Sequence, residues 1–163
     1  MNDTPADSAG PGHGKDPALD AIIAERHIID VITRSVHYLD YAQADLWVSV
    51  FTQDGVYEIR SGNPAFLPAG GTCKGTSVQY RGREELGAMV SNRPERSADR
   101  HIVANTFVTV SGDTATATSY RINVTSTGDG MLKVANFGRY FDSLVLSEDG
   151  QWRISVRVTE MEG

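Results

Sequence analysis

The feature that most limits the fold of this chain is a change of hydrophobic period at His101. Before it, apolar residues recur every three or four positions; after it, they alternate. Leu19, Ile22, Ile23, Ile28, Ile29, Ile32, Val36 and Leu39 are interleaved with Glu25, Arg26 and Arg34, the pattern of an amphipathic helix. Asp16-Pro17 offers an N-cap and a first-turn proline. The spacing therefore predicts a helix from Pro17 to about Tyr41, with room for a break. A second, short helix is expected from Asp45 through Phe51. It should end at Thr52-Gln53-Asp54-Gly55, where glycine can take the left-handed conformation that leaves a helix. Val56–Arg60 reads as a strand. Ser61–Tyr80, rich in glycine and with two prolines, reads as a long loop or a loose hairpin. Gly82–Val90 reads as a third helix, stopped near Pro94.

From His101 the period is two. His101–Val110, Thr114–Thr125, Met131–Leu146 and Gln151–Thr159 read as four long strands. Ser111-Gly112-Asp113, Thr127-Gly128-Asp129-Gly130 and Glu148-Asp149-Gly150 are the short connections that antiparallel hairpins use. Helices first and a meander afterwards describe a segregated α+β domain rather than an alternating parallel-sheet fold.

Size and composition narrow the function. The chain has 163 residues, enough for one domain with a real core and an internal pocket. A net charge of −6 without a Lys/Arg cluster argues against nucleic acid. No apolar run is long enough for a membrane helix. One cysteine, Cys73, leaves no intrachain disulfide and no Cys-rich zinc site, so a reduced, cytoplasmic setting is expected. Cys73 has no activating base beside it and reads as incidental. Residues 1–15 carry prolines, glycines and almost no large apolar side chain, and read as a flexible tail before a single domain at 16–163.

Two residues stand out chemically. Asp40 lies among apolar helix positions, where a carboxylate must find a partner or shift its pKa; a helix-end carboxylate facing water is the plain alternative. His101 opens a strand, with Val103 and Asn105 on its face. Its imidazole suits proton shuttling, although the polar stretch Glu95–Arg100 could equally leave it solvated. Other polar residues could orient a ligand: Tyr57 on the first strand, Ser119, Arg121, Asn123 and Thr125 on one face of a later strand, and Arg139 with Phe141 on the next. A one-residue bulge would reverse such assignments. His37 lies one helical turn before Asp40. His37, Asp40 and His101 together have the composition of a two-histidine, one-carboxylate metal site, but no pair has a dedicated ligand spacing, and no metal or other cofactor is expected.

The element order, with Leu39-Asp40, Phe51-Thr52-Gln53-Asp54-Gly55-Val56-Tyr57-Glu58, Gly82-Arg83-Glu84-Glu85-Leu86, His101-Ile102-Val103-Ala104-Asn105, Gly138-Arg139-Tyr140-Phe141-Asp142 and Gly150-Gln151-Trp152-Arg153-Ile154, resembles the SnoaL-like domains of the nuclear transport factor two-like superfamily. The resemblance spans about Leu19–Val158. It implies a cone-shaped α+β barrel, with N-terminal helices packed on a curved, mostly antiparallel sheet around an apolar cavity. Relatives include scytalone dehydratase, ketosteroid isomerase, polyketide cyclases and the small subunits of ring-hydroxylating dioxygenases. In the dehydratase, an aspartate and a histidine at the positions of Asp40 and His101 form a catalytic pair. The implied activity is a cofactor-independent lyase, isomerase or cyclase. It would use His101 and Asp40 as general acid–base on a small apolar, cyclic or aromatic substrate. His37, Tyr41, Tyr57, Asn105, Arg121, Asn123 and Arg139 would bind that substrate. The rest of the dehydratase apparatus does not transfer. Leu39, Ile59, Thr125, Arg139 and Phe141 replace its two tyrosines, second histidine, serine and asparagine, and Tyr38, Tyr41 or Tyr57 would have to supply a phenol. The resemblance also implies a homodimer or higher homo-oligomer. Two alternatives remain open: a non-catalytic dioxygenase small subunit and a small-molecule binding module.

Overall fold

A computed structural model describes residues 16–93 and 99–162; the tail expected at 1–15 lies outside the described residues. Helix α1 (Pro17–Asp40) is followed by α2 (Ala44–Ser49), strand β1 (Phe51–Ser61), β2 (Thr72–Lys74), β3 (Ser77–Arg81), α3 (Gly82–Ser91), β4 (Arg100–Ser111), β5 (Thr114–Ser126), β6 (Leu132–Leu146) and β7 (Trp152–Glu162). The strands form one sheet in the order β2-β3-β1-β7-β6-β5-β4. Every neighbouring pair is antiparallel except β1 and β7, which run parallel. The helices pack on one face of this curved sheet, as the α+β reading expects. Among the described residues no helix is long and apolar enough to cross a membrane.

Helix α1 starts where Asp16 accepts a hydrogen bond from the Ala18 N–H at 3.0 Å, with Pro17 in the first turn. It runs unbroken to Asp40. Its buried stripe is Ile28, Ile32, Ser35, Val36, Leu39 and Asp40. Leu19, Ile22 and Ile23 continue the apolar period but are exposed, so the early turns of the helix carry no core. The helix ends without glycine: Ala42 takes φ 52°, and the chain reverses into α2.

The second helix is shorter than its sequence suggests. It stops at Ser49, and Phe51–Gly55, expected to be helix end and turn, is the start of β1. Gly55 does not use left-handed freedom. A Cβ there would lie 3.0 Å from the Phe51 Cβ and 3.1 Å from the Thr52 carbonyl oxygen, at the bulge where β1 shifts register against β7. Glycine serves close approach here, not helix exit. The glycine-rich stretch after β1 contains the β2–β3 hairpin, and the Tyr80 hydroxyl pins the preceding loop by donating to the Ala69 carbonyl at 3.0 Å.

The core fills the space between helices and sheet. Trp47 of α2 packs on Phe51 and Tyr57 of β1 (centroids 4.7 and 5.7 Å), with Ile28, Ile32, Leu86, Val90, Leu144, Trp152 and Ile154 around them. Beneath α1 sits a buried polar clamp. The Arg157 guanidinium donates to both oxygens of Asp142 at 2.6 and 2.9 Å and to the Ser35 hydroxyl at 2.7 Å. It also stacks 4.4 Å over the Tyr140 ring. The clamp ties α1 to β6 and β7 shortly before Asp40 and so fixes the height at which the helix end meets the sheet.

Removing one partner of a buried ion pair strands the other, at a cost of about 3–5 kcal/mol. Asp142→Ala is expected to lower unfolding free energy by about that amount in chemical denaturation. Asp142→Leu combined with Arg157→Met should recover most of it.

Candidate functional site

β4 is an edge strand, so the N–H groups on its free side need partners other than a sheet ladder. Asp40 meets this need at His101. One carboxylate oxygen accepts the His101 backbone N–H at 2.9 Å, and the other accepts the ring Nδ1–H at 2.5 Å. The side chains are nearly dry, 4% exposed for His101 and 5% for Asp40. A single carboxylate therefore fixes both the backbone and the ring of its partner. His101 is thus not solvated, and most of the polar stretch at Glu95–Arg100 lies outside the described residues.

The other ring nitrogen fixes the tautomer. His101 Nε2 lies 2.9 Å from Nη2 of Arg121. A guanidinium has donors and no acceptor, so Nε2 receives that bond through its lone pair and Nδ1 carries the hydrogen. The imidazole is neutral. Burial, chiefly, holds its pKa below the usual 6.5, and the charges of Arg121 and Arg93 push it the same way against the hydrogen bond that Nδ1–H donates to Asp40.

His101 opens on a cavity of about 210 Å³. Its apolar walls come from Leu39 of α1, Ile59 of β1, Met89 of α3, Met161 of β7 and Pro68 of the loop before β2. Its polar lining is His101, Tyr57, Arg93, Arg121, Asn123 and Asn136. Arg121 and Asn123 point inward because they alternate with Tyr120 and Ile122 on the outer face of β5, and Asn136 faces Asn123 across β6. Arg121 Nη1 donates to Asn136 Oδ1 at 2.5 Å. Tyr57 accepts the Thr159 hydroxyl at 3.1 Å, which leaves its own O–H free to donate.

Of the residues singled out in the sequence, Asp40, His101, Tyr57, Arg121 and Asn123 are brought together here. Four lie elsewhere. His37 is exposed on α1. Tyr41 is 55% exposed, beneath the guanidinium of Arg100 at 4.8 Å. Asn105 is exposed at φ 52° in the bulge between Ala104 and Phe107, which turns it away from the face of His101. Arg139 pairs across the sheet with Tyr120, so it points outward with it and binds Glu160 and Glu162. Sequence reasoning passed over Arg93, beyond the end of α3, and Asn136. A periodic reading of β6 with Tyr140 inward would have pointed Asn136 inward too.

The SnoaL-like domain family matches residues 20–158 of the chain, while none of the curated proteins matches its sequence. Solved structures similar to this one have the nuclear-transport-factor-two-like cone. A variant of Rv3472, a protein of unknown function from Mycobacterium tuberculosis, superposes with a TM-score of 0.73 at 24% identity, covering 90% of this chain and 76% of that one. Novosphingobium aromaticivorans supplies further examples. A protein assigned as the beta subunit of an aromatic-ring-hydroxylating dioxygenase has a TM-score of 0.70 at 21% identity, covering 88% and 92%. A protein assigned as a scytalone dehydratase has 0.66 at 18%, covering 90% and 89%.

The depressed imidazole makes stability depend on pH. Below 6.5 the unfolded chain takes up a proton that folded His101 refuses. Stability present above that value is therefore lost as pH falls through the window between the unfolded and folded values. Thermal unfolding followed from about pH 8 to pH 5 should show a drop in Tm on acidification that is shallower in His101→Gln.

Proposed function

This chain belongs to the SnoaL-like domain family. From that premise, we propose that it is a cofactor-independent lyase or isomerase acting by general acid–base chemistry on a small cyclic or aromatic molecule. The observation that carries the reading is the buried imidazole locked by Asp40 through Nδ1, on the wall of a cavity lined by both apolar and polar side chains, with Nε2 against Arg121.

The chemistry follows from the geometry. Nε2 takes a proton from a carbon next to a carbonyl, and Asp40 stabilises the imidazolium that forms. The electron pair from the broken C–H bond moves to the carbonyl oxygen, where the Arg121 guanidinium offsets the growing negative charge. The imidazolium then returns its proton. Given to a leaving hydroxyl it completes a dehydration; given to a different ring carbon it completes a double-bond shift; given to the alkoxide left by an internal attack it completes a ring closure. Leu39, Ile59, Met89 and Met161 keep the site poor in water, so each of these charges is felt strongly.

Proton abstraction can be read before the product is known. With a panel of cyclic and aryl ketones, with and without a carboxylate or phenol group on the ring, in deuterated buffer, the protein should accelerate exchange of the hydrogens next to the carbonyl for at least one member, followed by proton NMR. His101→Gln should slow that exchange about 10²–10⁴-fold. Asp40→Asn should also slow it, because an amide can donate to Nδ1 and so leave the hydrogen on Nε2. Exchange unaffected by either change would reject the reading.

A second reading, as a non-catalytic subunit, draws on the likeness to the dioxygenase beta subunit. Co-purification with an iron–sulfur protein, together with no ketone exchange, would favour it.

We also propose that a second copy of this chain covers the outer sheet face. Ile102 and Phe107 of β4, Tyr120 of β5, Phe137 of β6 and Val156 of β7 are all exposed there, with the Tyr120 and Phe137 rings 5.9 Å apart. Sedimentation should give a dimer, and Phe107→Glu with Tyr120→Glu should give a monomer with unchanged far-UV circular dichroism.

A further inference from the structure

Two arginines are buried at the sheet, and they are treated differently. Arg157 has Asp142 against it. Arg121 is only 3% exposed, yet no carboxylate of the described residues contacts it. Its Nη1 is spent on an amide oxygen and its Nη2 on a neutral imidazole, and its buried Nε makes no hydrogen bond, with the buried phenol of Tyr140 as its remaining polar neighbour. A second guanidinium, Arg93, lines the same cavity, and its Nε is also buried and unpartnered. Asn123 adds an unpartnered Oδ1. No Asp or Glu lines the cavity among the described residues. Asp40, behind His101, has both oxygens committed to it.

Buried guanidinium without an anion is costly unless a ligand supplies the anion. A planar oxyanion meets the fork of Arg through two parallel N–H···O bonds. The cavity, about 210 Å³, compares with the roughly 150 Å³ that holds benzene in an apolar protein cavity. A single ring carrying one carboxylate or phenolate group fits both the volume and the charge.

The contact between Arg121 and His101 adds a consequence. Nη2 occupies the lone pair that a base at Nε2 must use. While that bond stands, the base is masked. We propose that the substrate carries an oxyanionic group on a single ring, and that this group draws Arg121 off His101 Nε2 and so frees the base only when the acidic ligand is in place. This rests on the proton-transfer reading of His101 and narrows its substrate class: the body of the molecule meets the apolar walls, and its charge meets Arg121 and Arg93.

The test uses the full chain, labelled with 15N at histidine, and two probes of the same shape. Benzoate is charged and benzamide is not. Benzoate is expected to bind at least tenfold more tightly, and to move the His101 Nε2 resonance while the Nδ1–H signal stays. Arg121→Gln should abolish the tenfold preference, and Arg121→Lys should keep part of it. The wild-type comparison needs no variant, so it stands whether or not Arg121→Gln folds. Equal binding of the two probes, or benzoate binding with Nε2 unmoved, overturns the proposal and leaves the ketone-exchange result of His101→Gln to decide the proton-transfer reading alone. A benzoate preference alongside ketone exchange that His101→Gln does not slow overturns the proton-transfer reading, and the unmasking falls with it.

Discussion

The Asp40 carboxylate closes on His101 from two sides, and the rest of the site is arranged around that grip. Its hydrogen bond to the backbone N–H stitches the end of the long helix to a free sheet edge, and its hydrogen bond to the ring chooses the tautomer. Both bonds are charge-assisted and dry, so each is stronger than an ordinary surface contact. Shifting α1 along its axis would break both together. This explains why the polar clamp of Arg157, Asp142 and Ser35 lies under the same helix: it holds the height from which Asp40 reaches β4.

Comparing the two buried arginines separates structure from chemistry. Arg157 has a partner at each of its three nitrogens, a bidentate carboxylate and a hydroxyl, and its charge is matched. Arg121 stands on an inward position of β5 with weaker, neutral partners. Fold stability alone gives no reason to leave a guanidinium in that condition, because the Asp142 solution is available two strands away. The two guanidiniums thus differ in whether a carboxylate balances their charge.

Much of this architecture was legible in the residues. The four long strands follow from alternation and from turns whose glycines do adopt positive φ, Gly112 at 57°, Gly128 at 85° and Gly150 at 76°. The Asp40–His101 pair was reachable through the resemblance to scytalone dehydratase, because the residues alone left each of the two free to face water. What was hidden depended on bulges and register between neighbouring strands. The bulge after Ala104 turns Asn105 outward, and the register that sets Arg139 opposite Tyr120 does the same for Arg139. Neither leaves a mark on local periodicity. Gly55 misled because a glycine required for close approach looks the same in sequence as one required for a left-handed turn. Arg93 had no motif to announce it, since its role depends on where α3 ends relative to the sheet.

The parallel seam between β1 and β7 has a kinetic meaning. It joins residues about a hundred positions apart, such as Val56 and Val156, whereas β4 through β7 pair with their chain neighbours. Loop-closure entropy weighs on the seam and spares the meander. The meander can therefore form early, carrying His101, Arg121 and Asn136. Tyr57 and Ile59 join them only when the distant seam zips. The two halves of the cavity wall are thus joined by the strand pairing that spans the greatest separation in the chain.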